Sequence, residues 1–221
     1  MGSVMVARKS WSLSSLGTYE QCAAKYRYKY IDGLQEQRSE SASRGVSSHA
    51  VVEGYLKGDL TALTPELSFY QGFFNQIRSL ENYPEIKLGV DRQWNPIPWE
   101  SPEIWWKGVL DLLVFPTKEM AIIYDWKTGK IYPDHDEQKA IYSLGVFSTY
   151  PAVREVRALH VYLDLGQNRH KTYHRDQVRM LREPWQNRVQ KLERDTQFIP
   201  NPSFRCTRCS FSQAKGGPCR F

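Results

Sequence analysis

Apolar and polar positions change rhythm along the chain. From Ser12 onward, Leu13, Leu16, Ala23, Tyr26 and Tyr30 recur at roughly helical spacing. That predicts a helix capped by Ser12 or Ser14 and ended by Asp32 and Gly33. A polar stretch, 35–43, leads to a second predicted helix over 44–56. A third covers 65–81, with Pro65 suited to its first position and Leu67, Phe69, Tyr70, Phe73, Phe74 and Ile77 as its core face. The rhythm then shortens. Residues 85–94, 104–115 and 120–127 read as strands separated by turns rich in Pro and Ser. Trp99, Trp105 and Trp106 fit either a strand edge or a loop lid. A helix over 136–150, a strand over 156–165, a hairpin partner over 169–173 and a basic helix over 175–197, which Pro184 would kink or split, complete the pattern.

Within this frame a few polar positions stand out. Asp111 interrupts the apolar run from Gly108 to Phe115, and a buried carboxylate is costly without a metal, a lysine or backbone donors. In Asp125-Trp126-Lys127, strand alternation turns Asp125 and Lys127 to one face and Trp126 to the other. A turn at 116–119 would make Asp111 and Asp125 neighbours on adjacent strands. A lone Asp-x-Lys is most simply a salt bridge at a strand end, and His49, one turn before Glu53, by itself reads as structural. Gln138 and Tyr142 share a helix face. Lys25, Arg27 and Lys29 alternate with Tyr26, Tyr28 and Tyr30, which suits either a grip on a nucleic-acid backbone or an amphipathic helix with a tyrosine core face.

Composition narrows the class. A chain of 221 residues, 41% hydrophobic and 13% aromatic, suits one globular domain, 1–221. Net charge of +6 leans towards a polyanionic partner. The apolar runs are too short to span a bilayer and residues 1–11 lack a signal-peptide core, so a cytoplasmic protein without membrane contact is expected. No Gly-x4-Gly-Lys-Ser/Thr loop is present, which excludes an ATP motor of that kind. Cys206-x2-Cys209 with Cys219 close by reads as a metal site before a disulfide frame, and with Cys22 it offers four thiolates suited to zinc or an iron–sulfur cluster. Two disulfides are the alternative.

Taken in order, Ser12-x-Ser14 with Tyr19-x2-Cys22, Gly45-x3-His49, Gly108-x2-Asp111, Asp125-x-Lys127, Gln138-x3-Tyr142 and the cysteine triplet resemble the RecB-like branch of the PD-(D/E)xK nuclease superfamily. Within it the chain is most similar to the iron–sulfur group that includes the CRISPR-associated Cas-four exonucleases and the AddB nuclease domain. The resemblance implies an α/β fold with a restriction-endonuclease-like core, a central mixed sheet flanked by helices. It implies a helical part over 12–82, a nuclease core over 85–198 and a metal-cluster tail over 199–221 joined to Cys22. By resemblance His49, Asp111, Asp125 and the Trp126 carbonyl are ligands of Mg²⁺ or Mn²⁺. Lys127 is the catalytic lysine, Gln138 and Tyr142 place the nucleic acid, and Cys22, Cys206, Cys209 and Cys219 hold a 4Fe–4S cluster, with Zn²⁺ as the alternative. The implied activity is a DNA exonuclease, endonuclease activity not being excluded, on single strands or duplex ends. It would work in recombination, repair or CRISPR adaptation, beside a helicase, a recombinase or adaptation proteins. Two departures stand: nine residues separate Cys209 from Cys219 where the family has about five, and Asp125 replaces the commoner Glu. A silent nuclease-fold DNA-binding module and a zinc-stabilised structural protein are the competing readings.

Overall fold

The structure, a computed structural model, describes residues 10–36, 40–131 and 135–221, and only the backbone of 40–47 and 135. The sequence readings for residues 1–9 and for 37–39 of the polar stretch lie outside the described residues. In chain order the elements are α1 (Leu13–Gln21), α2 (Ala23–Tyr26), a π-helical turn Arg27–Ile31, α3 (Glu40–Lys57), a 3₁₀ turn Pro65–Tyr70 and α4 (Gln71–Arg78). There follow β1 (Glu81–Val90), β2 (Trp106–Thr117), β3 (Met120–Lys127), α5 (His135–Thr149), β4 (Glu155–Tyr162), β5 (Gln167–His174) and α6 (Val178–Arg194). The chain folds as two compact units, Glu40–Arg182 and the paired chain ends, Met1–Ser39 with Glu183–Phe221.

The Glu40–Arg182 unit is built on a five-stranded mixed sheet in the order β1-β2-β3-β4-β5. Only β3 and β4 run parallel, and a parallel pair needs a crossover, which α5 supplies. On one face, Val52, Tyr55 and Leu56 of α3, Leu67, and Phe74 and Ile77 of α4 bury Leu112, Val114, Trp126, Val161 and Leu163. On α5, Ile141, Leu144, Val146 and Phe147 are buried. Trp106, fully buried, fits only because two glycines face it: a Cβ on Gly108 or on Gly145 would lie 2.7 Å from its ring. Tyr142 also closes on Gly108, 3.2 Å from the same imagined Cβ. The glycine three residues before Asp111 is thus a packing requirement.

In the unit formed by the chain ends, Ser12 caps α1 through a reciprocal pair of hydrogen bonds with Ser15. Trp11 stacks on Trp185 at 6.0 Å between centroids, Arg188 lies over Trp185, and its guanidinium forks onto Glu20 at 2.7 Å. Tyr26 stacks on Phe198.

Several local expectations are corrected. The first helix is broken at Cys22, whose extended backbone (φ −163°, ψ 112°) ends α1 and opens α2. The third helix is a 3₁₀ turn followed by α4, ending at Arg78, and Phe69 is 86% exposed because it falls on the outer side of that turn. Helix α6 begins at Val178, after a 3₁₀ turn, ends at Arg194 and is not split by Pro184. The tryptophans are divided: Trp106 is buried as the first residue of β2 and Trp105 just before it, while Trp99 is half-buried in the preceding loop. Among the described residues no helix is long and apolar enough to cross a membrane.

Candidate active site

The crossover sets the first turns of α5 beside the C-terminal end of β3, where Asp125 and Lys127 share a face. Three side chains close a ring there. Lys127 Nζ lies 2.5 Å from Asp125 Oδ2 and donates to Gln138 Oε1 at 2.6 Å, while Gln138 Nε2 donates to Asp125 Oδ1 at 2.7 Å. Trp126 turns the other way, against Phe73 and Phe74. Gln138 therefore fixes the lysine and the carboxylate relative to each other, a task its sequence position alone did not reveal.

Asp111 joins this ring from β2. The ladder between β2 and β3 runs Val114 to Ile122, Leu113 to Ile123 and Leu112 to Tyr124, and includes no pair beyond Leu112. At the vertex, the Trp126 N–H donates to Asp111 Oδ2 at 2.8 Å. His49 arrives from α3, on the stripe that also carries Val52 and Leu56, and its Nδ1 stands 3.4 Å from the same Asp111 oxygen. On the other side of β2, positions 85 and 111 drop out of the β1 ladder, and Glu85 takes a left-handed φ of 54°. Glu85 was not singled out by the sequence; Pro84, which marks β1 as an edge strand, was the available signal.

The electrostatics are those of crowded, desolvated acids. Asp125 is 4% exposed, and burial, aided by the Asp111 charge, pushes it from 3.8 up to about 6 against the pull of Lys127 and His49. For His49 burial works against the charged form, yet the hydrogen bond and charge of Asp111, with Asp125 behind, outweigh it and raise its pKa. Burial and then the Asp111 charge also raise Glu85. Tyr142, which reaches Gln138, is raised by burial and by the Asp125 charge. Beside Asp125 in the sheet register, His160 is buried with its Nδ1 3.4 Å from the buried Lys139 ammonium.

Among the described residues no three His, Cys, Asp or Glu side chains are arranged tightly enough to hold a metal ion in their present rotamers. The acids are instead turned onto His49 and Lys127. The donor set nonetheless fits a divalent cation: two carboxylates and an imidazole around one vertex. Asp125 Oδ2 is buried and, among the described residues, receives no directed hydrogen bond beside the Lys127 ion pair.

The four cysteines lie in the unit of the chain ends. All are free thiols, half-buried, and all line one cavity of about 610 Å³ together with Tyr28, Phe204 and Phe211. The backbone N–H of Asn201 donates to Cys22 Sγ and that of Ser203 to Cys206 Sγ, both at 3.4 Å. The long Cys209–Cys219 spacing is looped out. A 3₁₀ turn at Gln213–Lys215 ends at left-handed Gly216, and Cys219 N–H returns to the Phe211 carbonyl at 2.9 Å. Gly217 must be glycine there, since a Cβ would lie 2.3 Å from the Phe211 carbonyl carbon. On the first helices, Lys25 and Lys29 both pair with Glu36 at 2.6 Å and Tyr26 is buried, so the basic–aromatic alternation is largely internal.

A sequence model of a family described as the PD-(D/E)XK nuclease superfamily matches residues 10–214. No curated protein matches the chain. Among solved structures, a protein from Eubacterium rectale provisionally named an exonuclease is similar with a TM-score of 0.50 and 13% identity, over 98% of this chain and 92% of that one. The structure titled SSO0001 has a TM-score of 0.44 and 16% identity, over 97% and 88% of the two chains.

Proposed function

The chain belongs to the PD-(D/E)XK nuclease superfamily, and from that premise we propose that it is a metal-dependent deoxyribonuclease acting as an exonuclease on DNA ends. The observation that carries this is the convergence of Asp111, His49 and the Asp125–Lys127–Gln138 ring where β2 parts from β3. In this reading Asp111, Asp125, His49 and the Trp126 carbonyl hold Mg²⁺ or Mn²⁺. Such an ion, when bound, lowers the pKa of a water and offsets the charge that gathers on the phosphorus oxygens.

The chain's own groups do the rest. Lys127, released from Asp125, reaches the phosphate with its amine and orients the attacking water. Gln138 limits how far Lys127 can swing, because its amide bonds lysine and aspartate at once. Tyr142 keeps its proton and so adds no negative charge near the substrate. The scissile phosphorus–oxygen bond breaks as the water oxygen bonds to phosphorus, leaving a phosphate monoester and an alcohol.

The thiol-lined cavity is read as a structural 4Fe–4S site, with Zn²⁺ as the alternative, clipping the first helices to the tail. The N–H donors aimed at Cys22 and Cys206 sulfur suit sulfur atoms that act as ligands. We extend the reading to a cytoplasmic protein working in recombination, repair or CRISPR adaptation beside a helicase, a recombinase or adaptation proteins. The test is a time course on single- and double-stranded DNA labelled at the 5′ or the 3′ end, with Mg²⁺, Mn²⁺ or EDTA. Metal-dependent release of short products from one end is expected. DNA left intact with both metals, by protein that still binds it, overturns the nuclease reading.

A further inference from the structure

We propose that Lys87, Trp99 and Lys107 form a platform for single-stranded nucleic acid a few residues along β2 from Asp111, a step that rests on the nuclease reading and specifies its substrate. The face is set by alternation along β2. Trp106, Gly108 and Leu110 are buried, while Lys107 and Val109 between them are half-buried, so these two share the other face. In β1, Lys87 stands opposite Val109 and therefore on that face too. Four residues of strand put Lys107 ~13 Å from Asp111, the reach of a few nucleotides.

Trp99 completes the platform from the 91–105 loop. Lys107 Nζ lies 5.2 Å and Lys87 Nζ 5.6 Å from the centre of its ring. Among the described residues neither lysine is ion-paired, although the same loop carries the exposed acids Glu100 and Glu103. Two uncompensated ammoniums beside a half-exposed indole are the elements of single-strand recognition: cations for phosphates and a π-face for an unstacked base. A duplex keeps its bases stacked inside and offers none to the ring.

The loop is held firmly enough to present the indole. Ile97 N–H donates to Gly89 O at 3.0 Å and Trp105 N–H to Val90 O at 2.8 Å, while Asp91 Oδ1 accepts from the backbone of Gln93 and Asn95. Gly89 admits the loop: a Cβ there would lie 2.6 Å from Ile104 Cδ1. Trp94, buried at the base, has Arg182 over its ring. Binding would therefore cost little ordering of this loop.

The test is fluorescence anisotropy of a labelled 20-nucleotide oligo-dT in EDTA, with a blunt duplex of the same length as comparison. Trp99→Ala is expected to weaken single-strand binding about tenfold or more, the scale of one lost base stack, with less effect on the duplex. Trp99→Phe should recover most of the affinity, separating a stacking role from a folding defect. Lys87→Ala combined with Lys107→Ala should flatten the dependence of log affinity on log salt by about 1.4, for two phosphates at ~0.7 each. Unchanged affinity in Trp99→Ala, equal losses on duplex and single strand, or an unchanged salt slope would each overturn the platform. The outcomes separate from those of the nuclease test. Wild-type cleavage with Trp99-independent binding removes only the platform, and Trp99-dependent binding without cleavage removes only the nuclease.

Discussion

Lowering the pH should weaken Mn²⁺ binding steeply, because the proposed ligands hold their protons unusually well. Ligation requires Asp125 ionised and His49 neutral. Burial raises Asp125 to about 6, so it is roughly nine-tenths ionised at pH 7 and about one-tenth at pH 5, which weakens binding about tenfold. His49 is raised above 6.5, so over the same interval its neutral fraction falls by at least about twentyfold. Together the dissociation constant should rise by about 200-fold, ~3 kcal/mol, which averages to just over one proton released per ion bound across the interval. The metal-free protein moves oppositely at these two groups. Both pKa values are raised on folding, so the stability they contribute is fully present at low pH. For Asp125 it is lost between pH 3.8 and about 6, and for His49 as pH rises from 6.5 through its folded value. Titration calorimetry at pH 5, 6 and 7, in two buffers of different ionisation enthalpy, reads both affinity and proton release. At pH 5 His49→Ala should remove about one of the protons. A dissociation constant that changes less than about threefold from pH 7 to pH 5 would refute the assignment of these ligands.

Three further outcomes are expected. Asp125→Ala and Lys127→Ala should each abolish DNA cleavage while leaving the circular dichroism spectrum of the fold intact; digestion by either variant would remove that residue from the chemistry. Cys22→Ala should give poorly soluble protein that lacks the brown colour of an iron–sulfur cluster; wild-type protein carrying zinc and no iron would select the alternative metal. Gly145→Ala should destabilise by about 1–3 kcal/mol, since its methyl would press 2.7 Å into the Trp106 ring, and lower the melting temperature by about 2–10 °C; an unchanged melt would mean that the indole has room to move.

The strand Met120–Lys127 was legible to the residue, because alternation and turn residues bound it on both sides. Asp111 was legible as a carboxylate out of place in an apolar strand, and its partners are what burial requires: a backbone N–H and an imidazole. What local pattern could not supply depends on distant chain. The break at Cys22 leaves no mark in apolar spacing, since Leu16, Ala24 and Tyr26 are buried on both sides of it. Lys25 and Lys29 looked like a free basic stripe because Glu36, which takes both, lies beyond the helix. The odd cysteine spacing is resolved by a turn whose need for Gly217 appears only once Phe211 is in place. Glu85 and Trp99 matter through what stands opposite them across the β1 and β2 ladder, which no single segment encodes.

The central claim is that His49, Asp111 and Asp125 gather on one divalent cation beside Lys127. A crystal soaked in Mn²⁺ and measured for anomalous scattering tests it most directly. A single strong peak in contact with both carboxylates and the imidazole, with Lys127 swung away from Asp125, is the predicted result. A map with no peak there, and with Lys127 still paired to Asp125, would contradict it.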